Sequence, residues 1–359
     1  MELSGVDDTV RVAGPLRVPT VQIHPTLRCN LLCMHCYSSS GPHARAELPV
    51  AAVCQTIVDA SALGYEVVSW SGGEPLLYGG LTQALACAKQ AGLRTTITTN
   101  GYFLTASRVA KLSQTVDLIA LSLDGPPELH NRMRGSARAF DKVVNAAKQL
   151  REAGIPFGFI HTLTGETWEH LVWLADFASQ QGACLLQLHP LEFVGRAVTS
   201  MHAVLNDEAS LAKAYLLCLA IARRYSGSLS IQLDLLHRDD LANRPELGYA
   251  DNQPQIARSH APPQCLSLIV VEADGSIVPI SSGFSRAFRI GNIASERLAE
   301  ALPRFLMDRY GVFRALCREM FEALMAPGGP VLFNWHERVV EWSRSSKMSE
   351  AQLVVGEAS

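Results

Sequence analysis

The chain has 359 residues, 48% of them apolar, with a formal net charge of −3 and a pI near 6.4. That length can bury a large core and suits one big domain beside a smaller one, while the charge balance offers no basic surplus for nucleic acid or an anionic membrane. Residues 1–16 carry Glu2, Asp7 and Asp8 and no apolar h-region, so they do not read as a secretory signal. The most apolar windows, Ala212–Ala222 and Leu266–Val271, fall far short of the about 20 residues a membrane span requires. Nine cysteines, an odd number scattered along the chain, make no disulfide framework. Free thiols without an export signal point to a reducing cytoplasm.

Residues 1–17 read as a polar lead-in. From Val18 onward, short β-rich runs alternate with amphipathic helical stretches, and strands are expected at Val18–His24, Glu66–Ser71, Leu93–Thr98, Leu118–Leu123, Ile155–Thr162 and Cys184–Leu188. Their separation of roughly 25–35 residues is that of a βαβ unit, and several are continuous apolar runs, as buried parallel strands are. Ser136 is placed to cap a helix striped with Phe140, Val143, Val144, Ala147 and Leu150 and stopped by Gly154. Thr167 is placed to cap another, striped with Leu171, Leu174, Ala175 and Ala178 and stopped by Gly182. Six β-α repeats predict an α/β fold, a partial (β/α)6 TIM-type barrel over residues 18–200, with chemistry at the C-terminal strand ends.

Beyond residue 200 the pattern changes to a smaller α+β domain, expected over residues 201–342. It reads as a helix from Asn206 to Arg224, a strand at Leu229–Leu235 and a loop from Arg244 to Pro263 rich in Pro, Asn and Gln. A hairpin of Leu266–Ala273 and Ser276–Ile280 turns on Asp274-Gly275. Helices follow from Ala294, before a polar tail over residues 343–359.

The loop Arg28–Tyr37 follows the first strand and holds Cys29, Cys33 and Cys36 in C-x3-C-x2-C spacing. Three thiolates on one loop can hold three corners of a cubane iron–sulfur cluster and leave the fourth iron open, as a catalytic metal requires. Two other readings stay open at this point. One is a zinc site that adds His35, for which adjacent His35 and Cys36 are awkward ligands; the other is a non-catalytic metal site.

Gly72-Gly73-Glu74-Pro75 follows the second strand. Its glycines allow close backbone approach to a ligand and Pro75 biases Glu74 toward an extended conformation, although the same four residues make a tight turn in any protein. Thr99-Asn100-Gly101 and Ser122-Leu123-Asp124-Gly125 close the third and fourth strands, where small polar groups can reach a ligand or simply form turns. Arg134 can clamp a carboxylate with its planar fork or stand solvated beside a helix. Cys54, Cys87, Cys184 and Cys218, with Trp70 and Trp173, lie in apolar runs and read as core. His161 and His189, at strand ends, each read alone as satisfied core histidines.

Taken together, Cys29, Cys33 and Cys36 with His35 beside the last thiol, followed by Gly72–Pro75, resemble the radical S-adenosylmethionine (SAM) enzymes over about residues 18–200. The resemblance implies one [4Fe-4S] cluster on Cys29, Cys33 and Cys36, and SAM chelating the open iron. It places His35, Gly72, Gly73, Glu74, Pro75, Asn100, Ser122, Asp124 and Arg134 around SAM, with Gly72–Pro75 on the amino group and Arg134 toward the methionine end. Thr162–Glu166 resembles the family's adenine-side contact. Reductive cleavage of SAM would then yield methionine and a 5′-deoxyadenosyl radical that abstracts a substrate hydrogen. An external one-electron reductant of flavodoxin or ferredoxin type is implied as partner, with no nucleic acid and no membrane.

Pro190 and Gly195-Arg196-Ala197 resemble a pattern of peptide-modifying members, without an assigned role. Pro263-Gln264-Cys265, Glu272–Pro279 and Gly291-Asn292-Ile293 resemble the start of a SPASM or twitch domain, which usually binds auxiliary clusters. Here Ile280 stands where a cysteine is expected, and only Cys317 follows. Two thiols, Cys265 and Cys317, cannot supply the four ligands of a cubane, so a degenerate domain without an auxiliary cluster is expected, with Cys265 a buried thiol. The expected activity is that of an oxidoreductase or maturase acting on a ribosomally synthesised peptide by crosslinking, epimerisation or another C–H functionalisation. The alternative is a step on a small molecule: a sugar, amino acid or cofactor precursor.

Overall fold

The β-rich runs fold as strands, trimmed or shifted by a residue or two at their ends. The computed structural model describes residues 18–204, 206–251 and 261–345; residues 1–17 and most of the expected tail lie outside them. Along the chain come β1 (Thr20–Ile23), α1 (Val50–Ala62), β2 (Val67–Trp70), α2 (Leu81–Gln90), β3 (Arg94–Thr99), α3 (Ala106–Leu112) and β4 (Leu118–Ser122). Next are α4 (Pro127–Arg134), α5 (Ala139–Glu152), β5 (Phe157–Leu163), α6 (Leu171–Gln181), β6 (Leu185–Pro190), α7 (Ala197–Ser200), α8 (Glu208–Arg224) and β7 (Ser230–Leu233). The remainder is β8 (Leu236–His237), α9 (Arg238–Asn243), α10 (Pro262–Cys265), β9 (Leu268–Val271), β10 (Ser276–Pro279), β11 (Gly291–Asn292), α11 (Leu298–Asp308), α12 (Tyr310–Met325), β12 (Leu332–Phe333) and α13 (Trp335–Ser345).

The chain divides into two compact units, and β3 begins in one and ends in the other. The first gathers Cys29–Ala44 and Thr96–Leu235. In it β3, β4, β5, β6 and β7 run parallel, each paired with the next. The sequence pattern assigns Leu229–Leu235 to the C-terminal domain. The pairing corrects this: Leu185 to Leu188 of β6 register against Ser230 to Leu233, so β7 continues the parallel run. A short apolar strand after a long helix carries the same signal whether it extends a sheet or opens a new one. Here α8, started by a reciprocal capping box between Asp207 and Ser210, packs on α6 and delivers β7 to the sheet.

The second unit takes residues 18–28, Arg45–Thr95 and the described residues from Leu236 onward. β1 pairs parallel with β2 on one edge and with β9 on the other. The expected hairpin is present: β9 and β10 are antiparallel, and β11 follows β10. Gly275 sits at φ 84°, and a Cβ there would come within 2.7 Å of the Asn292 side chain. Asp59 of α1 accepts from Arg297 and from the Ala299 amide at the start of α11, and the Tyr65 hydroxyl donates to Leu266 O at 2.9 Å. The first two strands and the C-terminal segment therefore share a core, which differs from the single break expected at residue 200. Chain order alone does not show which edge of β1 a distant strand will take.

Smaller expectations also change. Ser136 does not cap α5; its helix starts after Arg138, whose amide donates to the Ser136 hydroxyl. Thr167 opens a 3-10 turn ahead of α6, and its hydroxyl serves His161 and Thr164. The α6 stripe is buried as expected, and Gly182 ends the helix in the left-handed conformation. Cys184 is exposed, and Trp173 is half-buried, stacked on Phe177. Ser343 is no tail residue: it is buried within α13 and accepts from the Ser285 amide. No helix among the described residues is long and apolar enough to cross a membrane.

Candidate active site around the cysteine loop

The first unit holds the cysteine loop by its backbone. Cys29 N donates to Gly41 O at 3.1 Å, Met34 N to Met133 O at 2.9 Å and Cys36 N to Cys33 O at 3.3 Å. Cys29 and Cys33 are buried, Cys36 is half-buried, and all three are free thiols. Leu31 and Tyr102 pack among them. Two N–H donors face the sulfurs: Asn100 Nδ2 lies 3.8 Å from Cys29 Sγ, and Arg134 Nη1 lies 3.9 Å from Cys33 Sγ. Burial pushes the Cys33 thiol up and Arg134 draws it back only in part, so ligation must displace a proton there.

Beneath Cys33 lies a buried charge pair. Arg134, the last residue of α4, donates from Nε and Nη2 to the two oxygens of Asp124 at 2.6 and 3.0 Å. Asp124 is fully buried. Burial would raise its carboxyl, but the Arg134 guanidinium holds it well below the usual carboxylate range. His35 and His130 stand 3.9 and 3.8 Å from Asp124 Oδ2, yet burial lowers both to about 4 and they stay neutral. The hydrogen bonds agree: His130 Nδ1 accepts from the Asp124 amide. His161 is a satisfied core histidine, bonded to Leu123 O and Thr167 Oγ1 and lowered to about 4 by burial. The fork of Arg134 is thus engaged by Asp124. Ser122 ends β4, buried.

Gly72–Pro75 belongs to the second unit, where it binds the segment leading into Cys29. Gly73 N donates to Thr26 O and Glu74 N to Arg28 O, each at 2.9 Å. A Cβ on Gly73 would lie 2.5 Å from Arg28 O, and one on Gly72 2.9 Å from His24 Cβ, so both positions need glycine. Glu74 is extended as Pro75 predicts. Its carboxylate is buried and accepts from the Leu76 amide. Also in this unit, Cys265 and Cys317 are both buried, and Ile280 is buried at φ 48°, unusual for a β-branched residue.

Two groups in the first unit were not read as functional from the sequence. The segment after β6 fastens the cysteine loop. Arg196 donates to Cys33 O at 2.8 Å, to Ser40 O at 2.7 Å and, from its amide, to Cys36 O at 3.0 Å. The Gly-Arg-Ala triplet was the available signal, but nothing in a sequence says that it reaches back 160 residues. The other group surrounds His189, which is neither core nor solvated. Its Nδ1 meets Asp234 at 3.0 Å and its Nε2 meets Glu192 at 3.1 Å, while Gln187 and Gln232 donate to Asp234. Burial would lower this imidazole, but the hydrogen bonds it donates to Asp234 and Glu192 raise it well above its ordinary value.

The donor set fits a thiolate-bound iron–sulfur cluster. Three free thiols share one loop, two face N–H donors, and the buried His35 Nδ1 has no partner. Among the described residues no three His, Cys, Asp or Glu side chains are already gathered to hold a single metal ion.

Residues 23–178 match the model of the Radical SAM superfamily. The chain is 28% identical over 194 residues to Fe-coproporphyrin III synthase of Methanosarcina barkeri, covering 54% of this chain and 49% of that one. It is 29% identical over 224 residues to the PqqA peptide cyclase of Ruegeria pomeroyi, covering 62% and 59%. The chain thus spans about half the length of the curated relatives it matches. Its fold is similar to that of Streptococcus suis SuiB bound to precursor peptide SuiA, with a TM-score of 0.64, 20% identity, and coverage of 83% of this chain and 66% of that one. At that identity the likeness is one of fold, and it bears out the expected α/β architecture of partial TIM-type barrel and further C-terminal domain.

Proposed function

Given that residues 23–178 match the Radical SAM superfamily, we propose that this protein holds a [4Fe-4S] cluster on Cys29, Cys33 and Cys36 and modifies a ribosomally synthesised peptide. With SAM bound, such a cluster supplies reductive cleavage to a 5′-deoxyadenosyl radical and abstraction of a substrate hydrogen. The observation that carries the reading is the loop itself: three free thiols, two of them facing the N–H groups of Asn100 and Arg134. Those two N–H groups are placed to donate to the sulfurs of Cys29 and Cys33 once these are ligands. Asp124 fixes the plane of Arg134 and cancels its charge, so the guanidinium supports Cys33 without adding net charge. His35 stays neutral beside the loop, its Nδ1 available to a ligand. Gly72, Gly73, Glu74 and Pro75 are assigned to the amino group of SAM, and Asn100, Ser122 and Asp124 to the rest of its neighbourhood.

Peptide chemistry is supported by PqqA peptide cyclase and by SuiB with its peptide. A second reading, a small-molecule step on a cofactor precursor, is supported by Fe-coproporphyrin III synthase. Both need a one-electron reductant of flavodoxin or ferredoxin type, and the nine free cysteines suit a reducing cytoplasm. The degenerate C-terminal domain is proposed to lack an auxiliary cluster. The test is anaerobic: the reconstituted, dithionite-reduced protein is given SAM and 5′-deoxyadenosine is measured. Its formation, abolished in Cys29→Ala, Cys33→Ala and Cys36→Ala, is expected; none from the wild-type chain would overturn the reading.

A further inference from the structure

Arg196 is a cation without a countercharge. It is half-buried, and no carboxylate among the described residues lies within ion-pair distance of it. Its guanidinium instead spans two backbone carbonyls of the cysteine loop, Cys33 O at 2.8 Å and Ser40 O at 2.7 Å, while its amide holds Cys36 O. Gly195 makes that approach possible. It sits at φ 60°, and a Cβ there would collide with Tyr37 O and lie 2.5 Å from Cys36 O. Two guanidinium groups therefore flank Cys33, and they differ in one respect: Arg134 is neutralised by Asp124, whereas Arg196 brings its full charge to the loop. Carbonyl dipoles satisfy its hydrogen bonds but cannot cancel that charge, and partly burying an uncompensated cation is costly unless an anion comes to it.

We infer that Arg196 is the countercharge of the loaded cysteine loop, a positioning residue that ties the end of β6 to Cys33, Cys36 and Ser40 and favours the more negative, reduced state of what the thiolates hold. The inference rests on the radical SAM reading above. Three thiolates around a cubane leave a net negative charge that grows by one on reduction, and a fixed cation hydrogen-bonded to the backbone of one ligand residue, Cys33, stabilises the reduced form more. The two contributions of Arg196, fork and charge, separate in two variants. Arg196→Lys keeps the charge and loses the fork; Arg196→Gln loses both.

The experiment uses the full reconstituted chain and two readouts that need no turnover: the midpoint potential from an EPR-monitored titration, and the rate of iron loss to a chelator. Arg196→Gln is expected to shift the midpoint to more negative potential and to lose iron several-fold faster. Arg196→Lys is expected to keep a midpoint close to wild type while still losing iron faster. An unmoved midpoint in Arg196→Gln, with iron bound as in the wild type, overturns the inference and leaves the radical SAM reading standing. A wild-type chain that takes up no iron overturns both.

Discussion

The first unit contains two groups of histidine and carboxylate with opposite protonation. Around Asp124 three histidines are neutral, lowered to about 4; around Asp234 and Glu192 the single His189 is raised well above its ordinary value and holds its charge. Burial pushes all four imidazoles the same way, so burial does not explain the difference. Arg134 does. Its bidentate fork cancels the Asp124 carboxylate beside His35 and His130, so that Asp124 does not hold a second proton on either ring. Asp234 and Glu192 each take an N–H of His189 directly, which both ring nitrogens can supply only as imidazolium. A histidine's charge is thus decided by what else its carboxylate has already paired with, not by the carboxylate alone.

The largest way to break this contrast is Arg134→Gln. It leaves the Asp124 carboxylate buried without its partner, and a loss of about 3–5 kcal/mol in urea unfolding is expected. In the same variant His35 and His130 should inherit the counter-ion role, and their imidazole resonances in NMR should titrate nearer neutral pH. Unchanged histidine titration would mean that Arg134 does not set their charge.

Acid comes next. For His35, His130 and His161 the folded-state value is below the unfolded one, so the unfolded chain binds more protons between about pH 6.5 and 4. Their contribution to stability is present above that window and lost as pH falls through it, by roughly 1–2 kcal/mol per histidine by pH 5. His189 has the opposite sign. Its value is raised, so its contribution is full below pH 6.5 and is lost as pH rises through the folded value. Unfolding free energies measured from pH 5 to 9 should therefore fall on the acid side, and stability that instead rose on acidification would contradict the neutral histidines.

Asp234→Asn sharpens the other half. His189 then keeps only Glu192, its titration should move down toward the ordinary histidine value, and a cost of about 1–3 kcal/mol is expected from the broken network. The smallest effect is expected from Thr167→Val, which takes one hydroxyl from His161 Nε2 and the Thr164 amide, at about 1 kcal/mol. His161 should remain neutral in that variant, since Thr167 does not hold its proton.

Much of this was legible in the sequence. The strands announced themselves by apolar runs at βαβ spacing, and the cysteine loop by three thiols that no disulfide pattern could use. Asp124 and Arg134 were each picked out, but as separate contacts to SAM. Their pairing depends on the turn at Gly125–Pro127 and on the length of α4, which together return a residue ten positions later to the same buried spot. Arg196 lies further from reach, because a three-residue motif does not declare a partner across most of a barrel. β7 was misplaced for a related reason: which sheet edge a strand takes is a tertiary choice, invisible in its own residues.

The account stands most directly on what the cysteine loop binds. Iron and zinc content of the anaerobically reconstituted chain, with a Mössbauer spectrum and Cys33→Ala alongside, measures it. About four irons per wild-type chain with a [4Fe-4S] signature, lost in Cys33→Ala, is the predicted result. About eight irons would contradict the single-cluster account, and zinc without iron would contradict the radical SAM site altogether.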